Sequence, residues 1–151
     1  MTHAQARERL LDYVYGEMAP GDVTAFEAIA RQDPDVRAEL DEVAFVRQAD
    51  EILLPFVVVA ELRAGFLGGT KGRANEGMLV RFINSPRVRV VYADDETTQH
   101  FARLVQQLRL QGTPLPTHDV WVASLAIQHN AMLCSRDKHF DVLPQLARAE
   151  A

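Results

Sequence analysis

The chain has 151 residues, the size of one ordinary domain or of one small domain with an added segment. It is 48% hydrophobic and 25% charged, which is the balance of a soluble globular protein. No apolar run is long enough to cross a bilayer. The single cysteine, Cys134, excludes an internal disulfide. Charged residues Arg7 to Arg9 stand where a secretory signal would need an apolar core, so we expect a cytoplasmic protein.

The net charge of −5 is unevenly distributed along the chain. Residues 1–50 contain 5 Arg and 11 acidic side chains, net −6, whereas residues 51–151 contain 11 basic and 10 acidic side chains, net +1. A strong nucleic-acid footprint would be more basic than either part. The composition changes between about residues 42 and 51, which predicts a helical segment at 1–42 and a second domain at 43–151.

The first fifty residues favour helices. Apolar residues recur at helical spacing within 3–18 and 23–32, and the turn "APGD" separates the two segments. Asp33 and Pro34 are typical N-cap and first-turn residues, and they predict a third helix that continues to about Ala49.

Beyond residue 50, short apolar runs alternate with helical patterns. Three runs predict strands: "EILLP" (51–55), "VRVVY" (88–92) and "AMLCS" (131–135). Helices are predicted over residues 56–69, 73–86, 94–112 and 119–130. Strands that alternate with helices indicate parallel βα units, so the sequence predicts an α/β fold with a parallel sheet flanked by helices.

Three acids are predicted to lie at the edge of this sheet where ligands gather, outside the carboxyl ends of the strands: Glu61, Asp119 and Asp137. Three carboxylates repel one another, by up to about 4 kcal/mol per pair at close range. They remain ionised together if a cation lies between them, and oxygen ligands suit Mg²⁺ or Mn²⁺. The alternative is local: Asp137 could cap the following turn, and Asp119 could cap its helix.

The sequence around these acids resembles a known family. The segments "VVVAELRAGF", "GTPLPTHDVWVASLAIQH" and "MLCSRDKHFDVLPQL" are similar to the PIN-domain ribonucleases, in particular the VapC toxins of VapBC toxin–antitoxin pairs. The resemblance covers roughly residues 43 to 147. It implies a PIN-like fold, an RNA substrate, a cognate antitoxin, and metal-binding roles for Glu61, Asp119 and Asp137. It also places the hydroxyl of Ser135 near the metal.

Basic side chains near this edge offer contacts to RNA phosphates: Arg63, Arg136 and Lys138. The same side chains would also be ordinary on a solvated surface. The remaining candidate metal ligands lack any zinc-like spacing and are interpreted as structural: His129, His139 and Cys134.

Residues 5–42 resemble a different family, the helical anti-sigma factor domains with a zinc-binding motif. Where that family has a His and two Cys, this sequence has Ile29, Asp33 and Val36, so zinc binding is not expected there. The resemblance implies a sigma factor as a further partner of this segment.

The PIN family begins with a central strand that carries a fourth acid, and this sequence has no such strand directly before residue 43. In one alternative, residues 9–15 form that strand, because Tyr13 to Tyr15 favour β-structure, and Asp12 becomes a fourth metal ligand. In the other, residues 9–15 are helical and the sheet is repaired by direct pairing or by homodimerisation.

The leading prediction is a metal-dependent endoribonuclease of the VapC type, with activity impaired by the lost acid. The alternative is a non-catalytic protein that binds a sigma factor or an antitoxin. Helix over residues 9–15 favours the binding protein, and strand favours the nuclease.

Overall fold

A computed structural model of the protein describes residues 1–14 and 16–149. The described chain divides into two compact units, Met1–Ala49 and Asp50–Ala149. The predicted boundary at residues 42 and 43 falls inside a continuous helix, Pro34–Gln48. The change in composition therefore begins within that helix, and the division between the units follows its last turn.

The described residues of the first unit form four helices: α1 (His3–Glu8), α2 (Leu10–Val14), α3 (Pro20–Gln32) and α4 (Pro34–Gln48). Thr2 caps α1 with a capping box, in which its side chain accepts from the backbone N–H of Gln5. Asp33 caps α4 as predicted, because its side chain accepts from the backbone N–H groups of Asp35 and Val36. The single helix predicted over residues 3–18 is wrong, since the chain turns at Arg9.

A small apolar core holds these helices together: Ala6, Leu10, Met18, Phe26, Ala30 and Val36. Phe26 is completely buried, and the ring of Tyr13 stacks on it with 4.4 Å between centroids. The Tyr13 hydroxyl donates to Glu27, at 3.2 Å. Tyr13 therefore packs in the helical core, and these tertiary contacts override its preference for β-structure.

The alternative in which residues 9–15 supply a central strand is wrong for its described part. Residues 10–14 form α2, and Asp12 accepts a hydrogen bond from Nε of Arg9, at 3.3 Å. Tyr15 lies outside the described residues.

The second unit contains a parallel pair of strands, β1 (Ile52–Pro55) and β2 (Val88–Val91). Two helices connect them, α5 (Phe56–Gly68) and α6 (Gly72–Ile83). Ile52 pairs with Val88, and Pro55 pairs with Val91. The direct connection of β1 to α5 places Glu61 on the helix that follows the first strand, as predicted.

The third predicted strand, residues 131–135, forms only an isolated parallel bridge between Leu133 and Arg148. Among the described residues, β1 and β2 make up the sheet. A strand needs hydrogen-bonding neighbours, and the central strand that residues 9–15 would supply in one alternative is not formed, because residues 10–14 are helical.

Two further helices complete the second unit, α7 (Asp95–Gln111) and α8 (Thr117–Gln128). They are followed by a 3₁₀ helix at Lys138–Val142. Gly112 ends α7 with φ of 71°, the left-handed conformation that glycine favours. The core between these elements is apolar: Leu104, Leu108, Val120, Ala123, Ala126, Phe140, Leu143 and Leu146. This core fixes α8 against the 3₁₀ helix and so positions the residues at their ends. Within the described residues, every helix is too short or too polar to cross a membrane.

Candidate functional site

Two of the predicted acids lie at the ends of adjoining elements. Asp119 is in the first turn of α8, directly after the loop that ends at Pro116. Asp137 precedes the 3₁₀ helix as its N-cap, and its Oδ1 accepts from the backbone N–H of His139 at 2.9 Å. The turn-capping role suggested for Asp137 is thus present and leaves its second oxygen for another role. The capping role suggested for Asp119 is wrong, because α8 begins at Thr117 after Pro116 and has no side-chain cap.

A third residue, His139, joins the two acids. Its Nδ1 lies 2.8 Å from Oδ2 of Asp119 and 3.5 Å from Oδ1 of Asp137. One ligand atom from each of the three residues lies within 4.8 Å of the others, so the group could hold a metal ion. The Asp119 side chain is 20% exposed, and those of Asp137 and His139 are 47% and 54% exposed. The site is open to solvent on the side of the 3₁₀ helix.

Two of the three spacings among these atoms are compatible with a shared cation, and the third, between the two carboxylates, is within 4.8 Å. Two ligand atoms that are both about 2.1 Å from a cation are about 3.0 Å apart at a right angle and about 3.4 Å apart at the tetrahedral angle. The two measured distances from Nδ1 of His139, 2.8 and 3.5 Å, bracket these values. The donor set of two carboxylates and one imidazole is also one that divalent cations accept.

Glu61 lies outside this group of three. Its carboxylate forms a hydrogen bond with Nδ1 of His118, the residue before Asp119. The structure therefore places Glu61 next to α8, but it does not bring the predicted three acids together as one cluster within 4.8 Å. Glu61 is thus connected to the group through His118, which it contacts and which directly precedes Asp119 in the chain.

Ser135 contacts the same loop through its hydroxyl, whose Oγ accepts from the backbone N–H of Asp137 at 3.2 Å. This hydrogen bond orders the turn that carries Asp137. Asp12, the fourth candidate ligand, belongs to the first unit and is paired there with Arg9.

The predicted RNA-binding side chains have different surroundings. Arg63 forms an ion pair with Glu76, with Nη2 2.9 Å from Oε1, and this hydrogen bond raises the pKa of the guanidinium. Arg136 and Lys138 are exposed and flank Asp137 in the sequence. Both adjoin Asp137 in the chain, whereas Arg63 lies on α5.

His139 is the residue that the sequence interpretation missed, because it was considered structural. Its spacing of two residues from Asp137 matches no zinc motif, and only the turn at the start of the 3₁₀ helix directs both side chains to Asp119. The available signal was the run "RDKH", in which an acid and an imidazole follow a short apolar segment.

Comparison with known proteins identifies the family. The profile of the PIN domain matches residues 22–146. The chain belongs to the PIN-domain family. The match begins within α3 and therefore includes part of the segment that resembled anti-sigma factor domains, and the comparisons do not support that second resemblance.

Two proteins named as ribonucleases are similar to this chain over more than half of its length. Ribonuclease VapC1 of Haemophilus influenzae strain R2866 is 27% identical over 121 residues, which are 78% of this chain and 86% of that protein. Ribonuclease VapC4 of Mycobacterium tuberculosis is 26% identical over 90 residues, 60% of this chain and 69% of that protein.

Solved structures show the same fold. VapBC-1 from nontypeable Haemophilus influenzae aligns with a TM-score of 0.64 and 25% identity, over 72% of this chain and 83% of that chain. VapBC2 from Rickettsia felis, bound to a DNA fragment from its promoter, aligns with a TM-score of 0.64 and 23% identity, over 80% and 89%. The predicted α/β PIN-like fold, a small parallel sheet flanked by helices, is thus confirmed.

Proposed function

We propose that this PIN-domain protein is a metal-dependent endoribonuclease of the VapC toxin type. The observation that carries the proposal is the convergence of Asp119, Asp137 and His139 within 4.8 Å in a PIN fold. Relatives named ribonuclease VapC1 and VapC4 support RNA as the substrate. The likeness to VapBC-1 supports a cognate antitoxin as the partner.

Asp119, Asp137 and His139 would hold one divalent cation, Mg²⁺ or Mn²⁺. When bound, such a cation supplies positive charge to a phosphodiester and lowers the pKa of a water molecule. The residues of the chain supply the rest. Ser135 orders the turn that carries Asp137 through its backbone N–H. Arg136 and Lys138, exposed on either side of Asp137, would bind the RNA backbone.

Glu61 has a supporting role in this proposal. Its hydrogen bond to His118 fixes the side chain of the residue before Asp119. The family resemblance instead implies that Glu61 contacts the metal directly. The two roles can be separated, because substitution of a direct ligand should weaken metal binding more than substitution of a supporting residue.

We propose that the activity is lower than that of a site with four acids. Asp12 is helical and paired with Arg9 within the first unit. Two carboxylates and an imidazole carry less negative charge than four carboxylates, so a hard cation is bound less strongly.

The test is cleavage of a mixed single-stranded RNA pool by the purified full chain with Mn²⁺, beside an EDTA control. Cleavage should be lost with EDTA and reduced at least about 100-fold in Asp119→Asn. Asp95→Asn is the matched control, because Asp95 also lies in the first turn of a helix but outside the group. Equal metal-dependent cleavage by wild type and Asp119→Asn would show that Asp119 takes no part in the cleavage and would reject the proposed site.

One observation favours the second candidate, a non-catalytic protein that binds an antitoxin. Residues 10–14 are helical, which is the outcome that favours binding over catalysis. In the first unit, α2, α3 and α4 border an open groove lined partly by Val23 and Leu40, with Glu27 at its polar side. Folded protein that binds a VapB-type antitoxin but cleaves no RNA with Mn²⁺ would establish this alternative. A cytoplasmic location and a homodimer remain predictions.

A further inference from the structure

The segment that carries Asp137 depends on side-chain contacts for its shape. Residues 134–137 lie between the bridge at Leu133 and the 3₁₀ helix, and they have no regular secondary structure. Backbone carbonyl groups in such a segment need hydrogen-bond donors from elsewhere in the chain. The donors of two of these carbonyls come from one side chain.

That side chain is Arg148. Its Nη2 donates to the carbonyl oxygen of Ser135 at 2.6 Å and to that of Asp137 at 3.3 Å. Its Nη1 donates to Oδ1 of Asp141 at 3.1 Å, within the 3₁₀ helix. The guanidinium also lies over the ring of Phe140, 5.6 Å from the centroid. One guanidinium thus connects the backbone on both sides of Asp137 to the 3₁₀ helix.

The backbone of Arg148 is itself fixed beside the start of the segment. The N–H of Leu133 donates to the carbonyl of Ala147 at 2.8 Å, and the N–H of Ala149 donates to the carbonyl of Leu133 at 2.9 Å. Nε of Arg148 is buried and lacks a partner among the described residues. An unpaired buried N–H costs free energy of folding, so the hydrogen bonds of Nη1 and Nη2 must contribute more than this cost.

We infer that Arg148 is a positioning residue for the site: its guanidinium fixes the backbone that carries Asp137 and His139, and so determines the affinity for a cation. The inference rests on the proposed function for the role of the cation. The contacts themselves require arginine, because they use two nitrogens of a planar fork and the face above Phe140. A lysine has one nitrogen and cannot reach all three acceptors in the same geometry.

The test measures Mn²⁺ binding to the full chain by isothermal titration calorimetry, for wild type, Arg148→Ala and Arg148→Lys. Loss of a partner that orients metal ligands typically weakens metal binding by about 10- to 100-fold. We expect a loss in that range for Arg148→Ala and a smaller but clear loss for Arg148→Lys. Arg103→Met, on the exposed surface of α7, removes the same charge and should bind Mn²⁺ as wild type does.

Amide hydrogen exchange of the metal-free protein supplies a readout that does not depend on the cation. Exchange of residues 135–141 should increase at least about tenfold in Arg148→Ala, while the helices α7 and α8 keep their protection. Added methylguanidinium should restore Mn²⁺ affinity to Arg148→Ala and leave Arg103→Met unchanged.

The outcomes separate the two proposals. Wild type that binds no Mn²⁺ would reject the metal site of the proposed function, and the exchange measurement would still decide the role of Arg148. Wild-type Mn²⁺ affinity in Arg148→Lys, together with unchanged exchange in residues 135–141, would overturn the inference. Because Arg148→Lys keeps the charge and the aliphatic stem, it tests the inference even if Arg148→Ala does not fold.

Discussion

Nδ1 of His139 lies 2.8 Å from Oδ2 of Asp119, although the two residues belong to different elements. Asp119 is in the first turn of α8, and His139 is in the 3₁₀ helix that packs on α8 through Phe140. The donor set of this group therefore includes an imidazole nitrogen beside the two carboxylates. A nitrogen donor favours Mn²⁺ over Mg²⁺, since Mg²⁺ binds oxygen ligands almost exclusively.

The first prediction concerns the choice of cation. The wild type should bind Mn²⁺ at least about tenfold more tightly than Mg²⁺, and His139→Asp should reduce this preference by replacing nitrogen with oxygen. The ratio of the two dissociation constants, measured by calorimetry, tests this. His100→Asp is the control, because His100 on α7 contacts Glu96 and lies outside the group of three. An unchanged ratio in His139→Asp would show that His139 does not bind the cation.

The second prediction separates the two roles proposed for Glu61. Asp119→Asn should weaken Mn²⁺ binding at least about tenfold, because it removes charge from a direct ligand. Glu61→Gln should weaken it only about two- to threefold, because Glu61 contacts His118 and lies outside the group. Equal losses in both variants, measured by calorimetry at the same pH, would instead assign Glu61 a direct metal contact.

The third prediction concerns a buried polar contact between α7 and α8. Thr97 is completely buried, its hydroxyl contacts Oε1 of Gln128, and it accepts from the backbone N–H of Asp94 at 2.9 Å. Thr97→Val keeps the shape but leaves these groups without a partner, which costs about 1–3 kcal/mol of unfolding free energy. Urea unfolding followed by the fluorescence of Trp121, the single tryptophan, measures this.

Thr98→Val is the matched control for that substitution. Thr98 is exposed, and its hydroxyl donates to the carbonyl of Asp95 within the first turn of α7, at 2.6 Å. The control should change the unfolding free energy by less than about 0.5 kcal/mol. A Thr97→Val variant as stable as this control would show that the buried hydroxyl contributes nothing.

Local signals made much of the second unit predictable. The acidic start and the glycine stop of "DDETTQHFARLVQQLRLQG" define α7 to within one residue, because an N-cap and a left-handed C-cap are local features. The strands β1 and β2 follow from short apolar or β-branched runs in the same way. The third predicted strand failed because strand pairing depends on a distant neighbour, which the sequence pattern of residues 131–135 does not contain.

The site was predictable only in part for a similar reason. The edge rule for α/β sheets, with the family resemblance, directed attention to Asp119 and Asp137, which do lie together. The position of Glu61 depends on its contact with His118, and that of His139 depends on the turn after Asp137. Side-chain contacts of this kind are set by tertiary packing rather than by spacing in the sequence. The metal-binding roles of all four residues remain predictions.

The last prediction concerns pH and the N-cap of α7. The backbone N–H of Thr97, followed by the side chains of Gln128 and Thr97, lowers the pKa of Asp94 below its ordinary value of about 3.9. A lowered pKa in the folded state means that the stabilisation is fully present above the ordinary pKa and is lost as the pH falls through the lowered one. Asp94→Asn removes the titrating group, so the stability of the variant should fall less than that of the wild type on acidification.

Urea midpoints between about pH 2 and pH 6, again followed by Trp121 fluorescence, test this expectation. Other acids titrate in both proteins, so the difference between the two curves isolates Asp94. The difference should be constant above about pH 5 and should shrink below about pH 4, where the wild-type carboxylate is protonated and loses its advantage as a hydrogen-bond acceptor. Asp95→Asn in the same turn is the control, because its carboxylate accepts only from Gln99 among the contacts of its side chain in the described chain. Parallel curves for wild type and Asp94→Asn over the whole range would show that the cap of α7 does not depend on the charge of Asp94.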